Sequence, residues 1–170
     1  MNIFEFIGGP SGHRKENKIF QYVKHFVDVN TRAETEGVYH KKVSFPMYAQ
    51  VKRDGVFAAL VIHNGKCGVF NRTGKRMTNC EKLEEYFLEV STPDGIYLGE
   101  MLSRECSLEQ LSGVVNPNRK KPLEEEHQVA IKSNLHIDFF DYIDYFEFTI
   151  GASQYNFIER FNRLESKMQS

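Results

Sequence analysis

The chain has 170 residues, 41% hydrophobic and 26% charged, the balance of an ordinary globular domain rather than a disordered, fibrous or membrane-spanning protein. With 14 Phe and 8 Tyr it has the material for one sizeable core, so a single domain over residues 1–170 is expected. Lys plus Arg total 22 against 23 Asp plus Glu, a formal charge of −1, which makes any nucleic-acid surface a local feature. Cys67, Cys80 and Cys106 are odd in number and form no Cys-x-x-Cys pair, which points to a reducing compartment and away from a zinc site. No run approaches 18 apolar residues and the first residues lack the order of a secretory signal, so a soluble, cytoplasmic location is expected.

In chain order, a Gly/Pro/Ser turn at residues 8–12 precedes Ile19, Tyr22, Val23, Phe26 and Val27, whose spacing predicts an amphipathic helix over about 14–29. The Gly-rich residues 8–15 do not fit the phosphate-loop pattern. Residues 45–71 read as an antiparallel meander. Asp54-Gly55 separates strand-like residues 47–52 from 56–62, and Asn64-Gly65 separates these from 67–70. Residues 81–90 predict a helix with Leu83, Tyr86, Phe87 and Val90 on one face and its acids on a solvated one. Strand-like residues 96–102 and a short helix over 107–114 follow, then a basic loop at 116–122. Residues 128–143 are rich in apolar alternation and aromatics, and 154–168 form a last amphipathic helix. The sum is an α+β domain on antiparallel sheet.

The most informative tract is Gln50-Val51-Lys52-Arg53-Asp54-Gly55. An extended backbone puts Lys52 and Asp54 on one face, and Gly55 allows close backbone approach. A lysine beside a carboxylate at a turn suits a covalent nucleophile. Further on stand Asn71-Arg72-Thr73-Gly74, Gly99-Glu100 at a strand end, and Phe140-Asp141. In this order the motifs resemble the adenylation (nucleotidyltransferase) domain of ATP-dependent DNA ligases, especially the small phage-type enzymes.

The resemblance implies an ATP-grasp-like antiparallel-sheet fold that uses ATP and Mg²⁺. It makes Lys52 the adenylated residue and assigns nucleotide contacts to Gln50, Val51, Asp54, Gly55, Arg72, Gly74, Glu100 and Phe140. Glu100 would also hold metal, and Phe140 would stack on adenine. Arg72, Lys75 and Arg76 form a basic cluster suited to backbone phosphates of nicked double-stranded DNA. Two further clusters, His40-Lys41-Lys42 and Arg119-Lys120-Lys121, have the same character.

Three positions depart from the family's pattern. Gln50 stands where a glutamate is usual, Phe57 where many members have an arginine, and Leu98 where an aspartate often precedes Gly-Glu. The family's next elements, a Glu-Gly strand and a Lys-x-Lys strand, would follow residues 154–168, and an oligonucleotide-binding domain would come after them. The adenylation domain is therefore expected to be incomplete at its C-terminal end, and the chain to be a subunit that takes these parts from a second polypeptide. RNA ligation, and a non-catalytic nucleotide- or DNA-binding subunit or ligase remnant, are the alternatives to DNA nick sealing.

Overall fold

Asn64 and Gly65 both take left-handed backbone, with φ of 52° and 72°, and turn β1 (Val56–His63) into β2 (Lys66–Phe70) with His63 opposite Lys66. Positive φ at both central residues matches the twist of the flanking strands, which is why Asn-Gly marks a tight hairpin. The computed structural model describes residues 1–9, 19–20, 48–104, 106–119 and 124–169. It divides into two units, Met1–Ile19 with Arg53–Ser170, and Phe20–Lys52. In the second unit the described residues, Phe20 and 48–52, carry no helix or strand. Most of the helix predicted over 14–29, along with His40-Lys41-Lys42 and Lys120-Lys121, lies outside the described residues.

In the first unit β3 (Gly95–Ser103) pairs with the free edge of β1, and β4 (Leu135–Ile143) pairs with β3. The sheet is antiparallel throughout, in the order β2-β1-β3-β4. This arrangement corrects the expected meander. β2 takes one edge of β1 and β3 the other, and among the described residues 48–54 carry no strand. The hairpin is therefore β1–β2 alone.

One sheet face carries Leu60, Val69, Tyr97 and Met101 into the main core, together with Leu111 and Val115 of a helix at Leu108–Val115 and Leu164 of one at Phe157–Met168. In chain order the helices among the described residues are α1 (Ile3–Ile7), α2 (Glu81–Glu89), α3 (Leu108–Val115), α4 (Glu125–Ser133), α5 (Tyr145–Ile150) and α6 (Phe157–Met168). On the other face Ala59, Val61, Phe70, Ile96 and Leu98 are also buried. There Phe6 of α1 meets Phe70 at 5.3 Å, and Phe4 stacks on Phe148 of α5 at 5.4 Å. Among the described residues, no helix is long and apolar enough to cross a membrane.

Two sequence expectations change. The alternation over 128–143 divides, because residues through Ser133 belong to α4, whose acids Glu125 and Glu126 open it and whose Lys132 closes it in the sense of the helix dipole. The acids of α2 do not all face solvent, and two of the expected apolar positions, Tyr86 and Val90, are exposed instead. Glu84 is buried. It accepts the Val69 N–H at 3.0 Å and meets the Arg76 guanidinium at 2.6 Å. Glu84→Ala, which leaves both donors unmatched, is expected to lower the urea unfolding free energy by about 2 kcal/mol, while Glu81→Ala on the exposed face leaves it within ~0.5 kcal/mol.

Candidate functional site

The site builds up from the start of β1. Gly55 lies so close to β3 that a Cβ there would sit 2.3 Å from the Met101 carbonyl oxygen and 2.8 Å from Glu100 Cγ. Strand registry continues from this contact, with Val56 opposite Met101 and Phe57 opposite Glu100. Glu100 in turn faces Asp138 on β4.

Two residues further along β4 the ladder slips. Gly99 pairs with Phe139 and Leu98 with Asp141, so Phe140 is the extra residue of a β-bulge. Gly99 makes this possible, since a Cβ there would fall 2.4 Å from Ile137 and 2.7 Å from the Asp138 carbonyl oxygen. The two aromatics face opposite sides of the sheet. The Phe139 ring joins Phe87 and Tyr97 on the core side, at 5.7 and 5.8 Å, while Phe140 lies 6.4 Å from Phe57 on the other.

Arg72 completes the group. Asn71 Oδ1 accepts the N–H groups of Thr73 and Lys75 and the Thr73 hydroxyl, which shapes the turn after β2, and Gly74 closes it with φ of 76°. From this turn the Arg72 guanidinium lies over the Phe57 ring, 4.0 Å from its centroid. Phe57, Arg72, Glu100 and Phe140 thus meet at one end of the sheet. Beside them Arg53 Nε contacts Asp138 Oδ2 at 2.7 Å, with both side chains well exposed, so this pair contributes at most ~1 kcal/mol to stability. Asp141, next to the bulge, is held from α6 by two bonds from Arg160, at 2.8 and 2.9 Å.

Asp54, Gly55, Arg72, Glu100 and Phe140 of the sequence prediction therefore lie in the first unit, and Gly55, Arg72, Glu100 and Phe140 come together around Phe57. Gln50, Val51 and Lys52 are exposed residues of the second unit, with Lys52 one peptide bond before Arg53. Gly74 packs against Ile3 and Ile19 as well as closing its turn. Of the basic cluster, Lys75 is exposed, whereas Arg76 is engaged by Glu84 and lies 5.6 Å over the Phe6 ring. Sequence reasoning did not identify Phe57 as a member of the site, nor the pairing of Arg53 with Asp138.

Among the described residues no group of three or more His, Cys, Asp or Glu could cage a metal ion. Mg²⁺ needs no such cage. It keeps several waters and takes one or two carboxylates plus substrate phosphates.

No family model matches the sequence, and no curated protein matches it. Solved structures do. One named Pmar-Lig_Pre aligns with a TM-score of 0.51 and 21% identity over 69% of this chain. Another, Pmar-Lig_PreS3, aligns with a TM-score of 0.51 and 18% identity over 84% of this chain. The fold is ligase-like. The chain spans 26% and 35% of the lengths of these two ligase-like structures, and at such identities the likeness concerns the fold alone.

Proposed function

We propose that this chain is the lysine-bearing adenylation part of an ATP-dependent DNA ligase. The observation that carries the reading is the gathering of Arg72, Glu100 and Phe140 around Phe57 at the sheet end where the Lys52-Arg53-Asp54-Gly55 tract leads into β1. These are the residues that the order of motifs selects, and the ligase-like fold supports the same reading.

The chemistry follows from the residue types. Lys52 Nζ, as the neutral amine, attacks the α-phosphorus of ATP; the N–P bond forms as the bond to pyrophosphate breaks, and the lysine proton passes to solvent. The AMP then moves to a 5′-phosphate at a nick, freeing the lysine, and the 3′-hydroxyl displaces AMP to form the phosphodiester. Glu100 is the residue that would hold Mg²⁺, which when bound would supply charge neutralisation at the phosphoryl steps. Arg72 brings a fixed positive charge to the nucleotide phosphates or ribose, and Phe140 offers an aromatic face to adenine. The reading assigns nucleotide contacts to Gln50, Val51, Asp54 and Gly55, and Gly74 closes the turn that carries Arg72. Lys75 and Arg72 suit the backbone of nicked DNA.

Lys-x-Lys occurs nowhere in the 170 residues. The proposal has those lysines, the Glu-Gly strand and the oligonucleotide-binding domain come from outside these residues, with a second polypeptide as the source to test.

The test is intact mass after incubation with ATP and Mg²⁺, with and without the product of a neighbouring reading frame. An AMP adduct mapped by peptide sequencing to Lys52, with sealing of nicked DNA, is the expected result. Sealing of nicked RNA alone would move the substrate to RNA, and no adduct in any mixture would overturn the enzymatic reading in favour of a binding subunit.

A further inference from the structure

We infer that Phe57 is the positioning residue for Arg72, its ring holding the guanidinium in the orientation the nucleotide meets. The inference rests on the adenylation reading and deepens it.

Three observations converge. The Arg72 carbon sits 4.0 Å from the Phe57 ring centroid, within cation–π contact. Phe57 projects from the sheet face opposite the main core. Its strand neighbours Val56 and Ala58 belong with that core, and Phe57 itself does not. Phe57 also stands between the other site residues, opposite Glu100 in registry and 6.4 Å from Phe140. The Phe57 ring, set away from the main core with the guanidinium over its face, is thus placed to act on that cation.

The physical consequence concerns direction. A guanidinium stacked on a ring keeps its N–H donors in its own plane, so the ring fixes where that fork points and limits the rotamer freedom lost on binding a phosphate or a ribose hydroxyl. Where many members of the resembled family carry a second arginine, this chain has an aromatic platform for the arginine it already has.

The experiment compares lysyl-AMP formation by the full chain, under the conditions that label the wild type, among Phe57→Leu, Phe57→Tyr, Arg72→Ala and the Phe57→Leu/Arg72→Ala double variant. Leucine keeps apolar bulk and loses the π face. It is expected to raise KM for ATP about fivefold to tenfold with a smaller change in kcat, and tyrosine to restore most of the loss. In the Arg72→Ala background the Phe57→Leu change should add nothing, because Phe57 acts through Arg72. Additive losses, or failure of tyrosine to rescue a folded variant, would overturn the positioning role while leaving the adenylation reading intact. Absence of an adduct in the wild type would instead overturn the adenylation reading and this inference with it.

Discussion

Gly55→Ala is expected to lower the stability of the protein by about 3 kcal/mol, a fall of roughly 6–12 °C in Tm for a chain of this size. The added methyl would meet the Met101 carbonyl oxygen at 2.3 Å and Glu100 Cγ at 2.8 Å. The glutamate side chain can turn away, but the carbonyl belongs to the β3 backbone and is fixed by the ladder to β1 and β4. Relief therefore requires β1 and β3 to separate at the sheet end that carries Phe57 and Glu100. Gly65→Ala is the informative control. Its φ of 72° is costly for a side chain, by about 1–2 kcal/mol, but nothing lies within 4 Å of the new methyl. Thermal unfolding of the two variants side by side should show Gly55→Ala as clearly the more damaging. Equal Tm values for Gly55→Ala and the wild type would show that the β1–β3 contact is looser than described.

The two glycines also show what a sequence discloses. Asp54-Gly55 and Asn64-Gly65 look alike, and both predict tight hairpins. Asn64-Gly65 is one because a two-residue turn is decided by its own backbone conformations. Asp54-Gly55 is not, because the role of Gly55 is set by β3, which takes the edge of β1 that a preceding strand would have used. The same division runs through the site. Arg72, Glu100 and Phe140 are legible as motif residues in order, and strand alternation already sets Phe140 on the face away from Phe139, but the slip that puts Leu98 against Asp141 beside the side-chain-free Gly99 is not. Phe57 is visible in the sequence only as a departure from a pattern. Its meaning comes from the guanidinium above it. Glu84 looks like one more acid of a solvated helix face until the Val69 N–H and Arg76 arrive from β2 and the segment after it. Local chemistry is readable along the chain, whereas contacts between distant elements are not.

Arg163→Met is expected to destabilise the protein by about 3 kcal/mol at neutral pH, through a cluster that fixes α6 against the end of β4. Asp144 caps α5 by accepting the Glu147 N–H at 2.8 Å, and the Glu147 carboxylate accepts the Asp144 N–H in return. Arg163 from α6 joins both acids, reaching Asp144 at 2.9 Å and Glu147 at 3.0 Å, while its guanidinium lies 4.3 Å over the Tyr155 ring. Glu147 is only 4% exposed and keeps the Ser153 hydroxyl as a donor, so removing Arg163 leaves a buried carboxylate without its cation. The loss is at the low end for a broken buried pair because the Arg163 side chain is itself 27% exposed. Changing Glu147 to Gln along with Arg163 to Met should recover part of the loss, since residue 147 then carries no charge to leave unpaired. The pH dependence has a defined sign. Burial works to raise the Asp144 carboxyl, but the Glu147 N–H and the Arg163 guanidinium outweigh it and hold its pKa below the ordinary 3.8. A depressed folded pKa contributes stability that is present above the unfolded value and is lost as pH falls through the folded one. The gap between wild type and Arg163→Met should therefore be widest near neutral pH and narrow as pH falls below the unfolded value of 3.8 and on through the lower folded one. Urea unfolding between pH 7 and pH 3 reads this directly, and a gap that stays constant across that range would show that Arg163 acts through packing on Tyr142 and Tyr155 rather than through its charge.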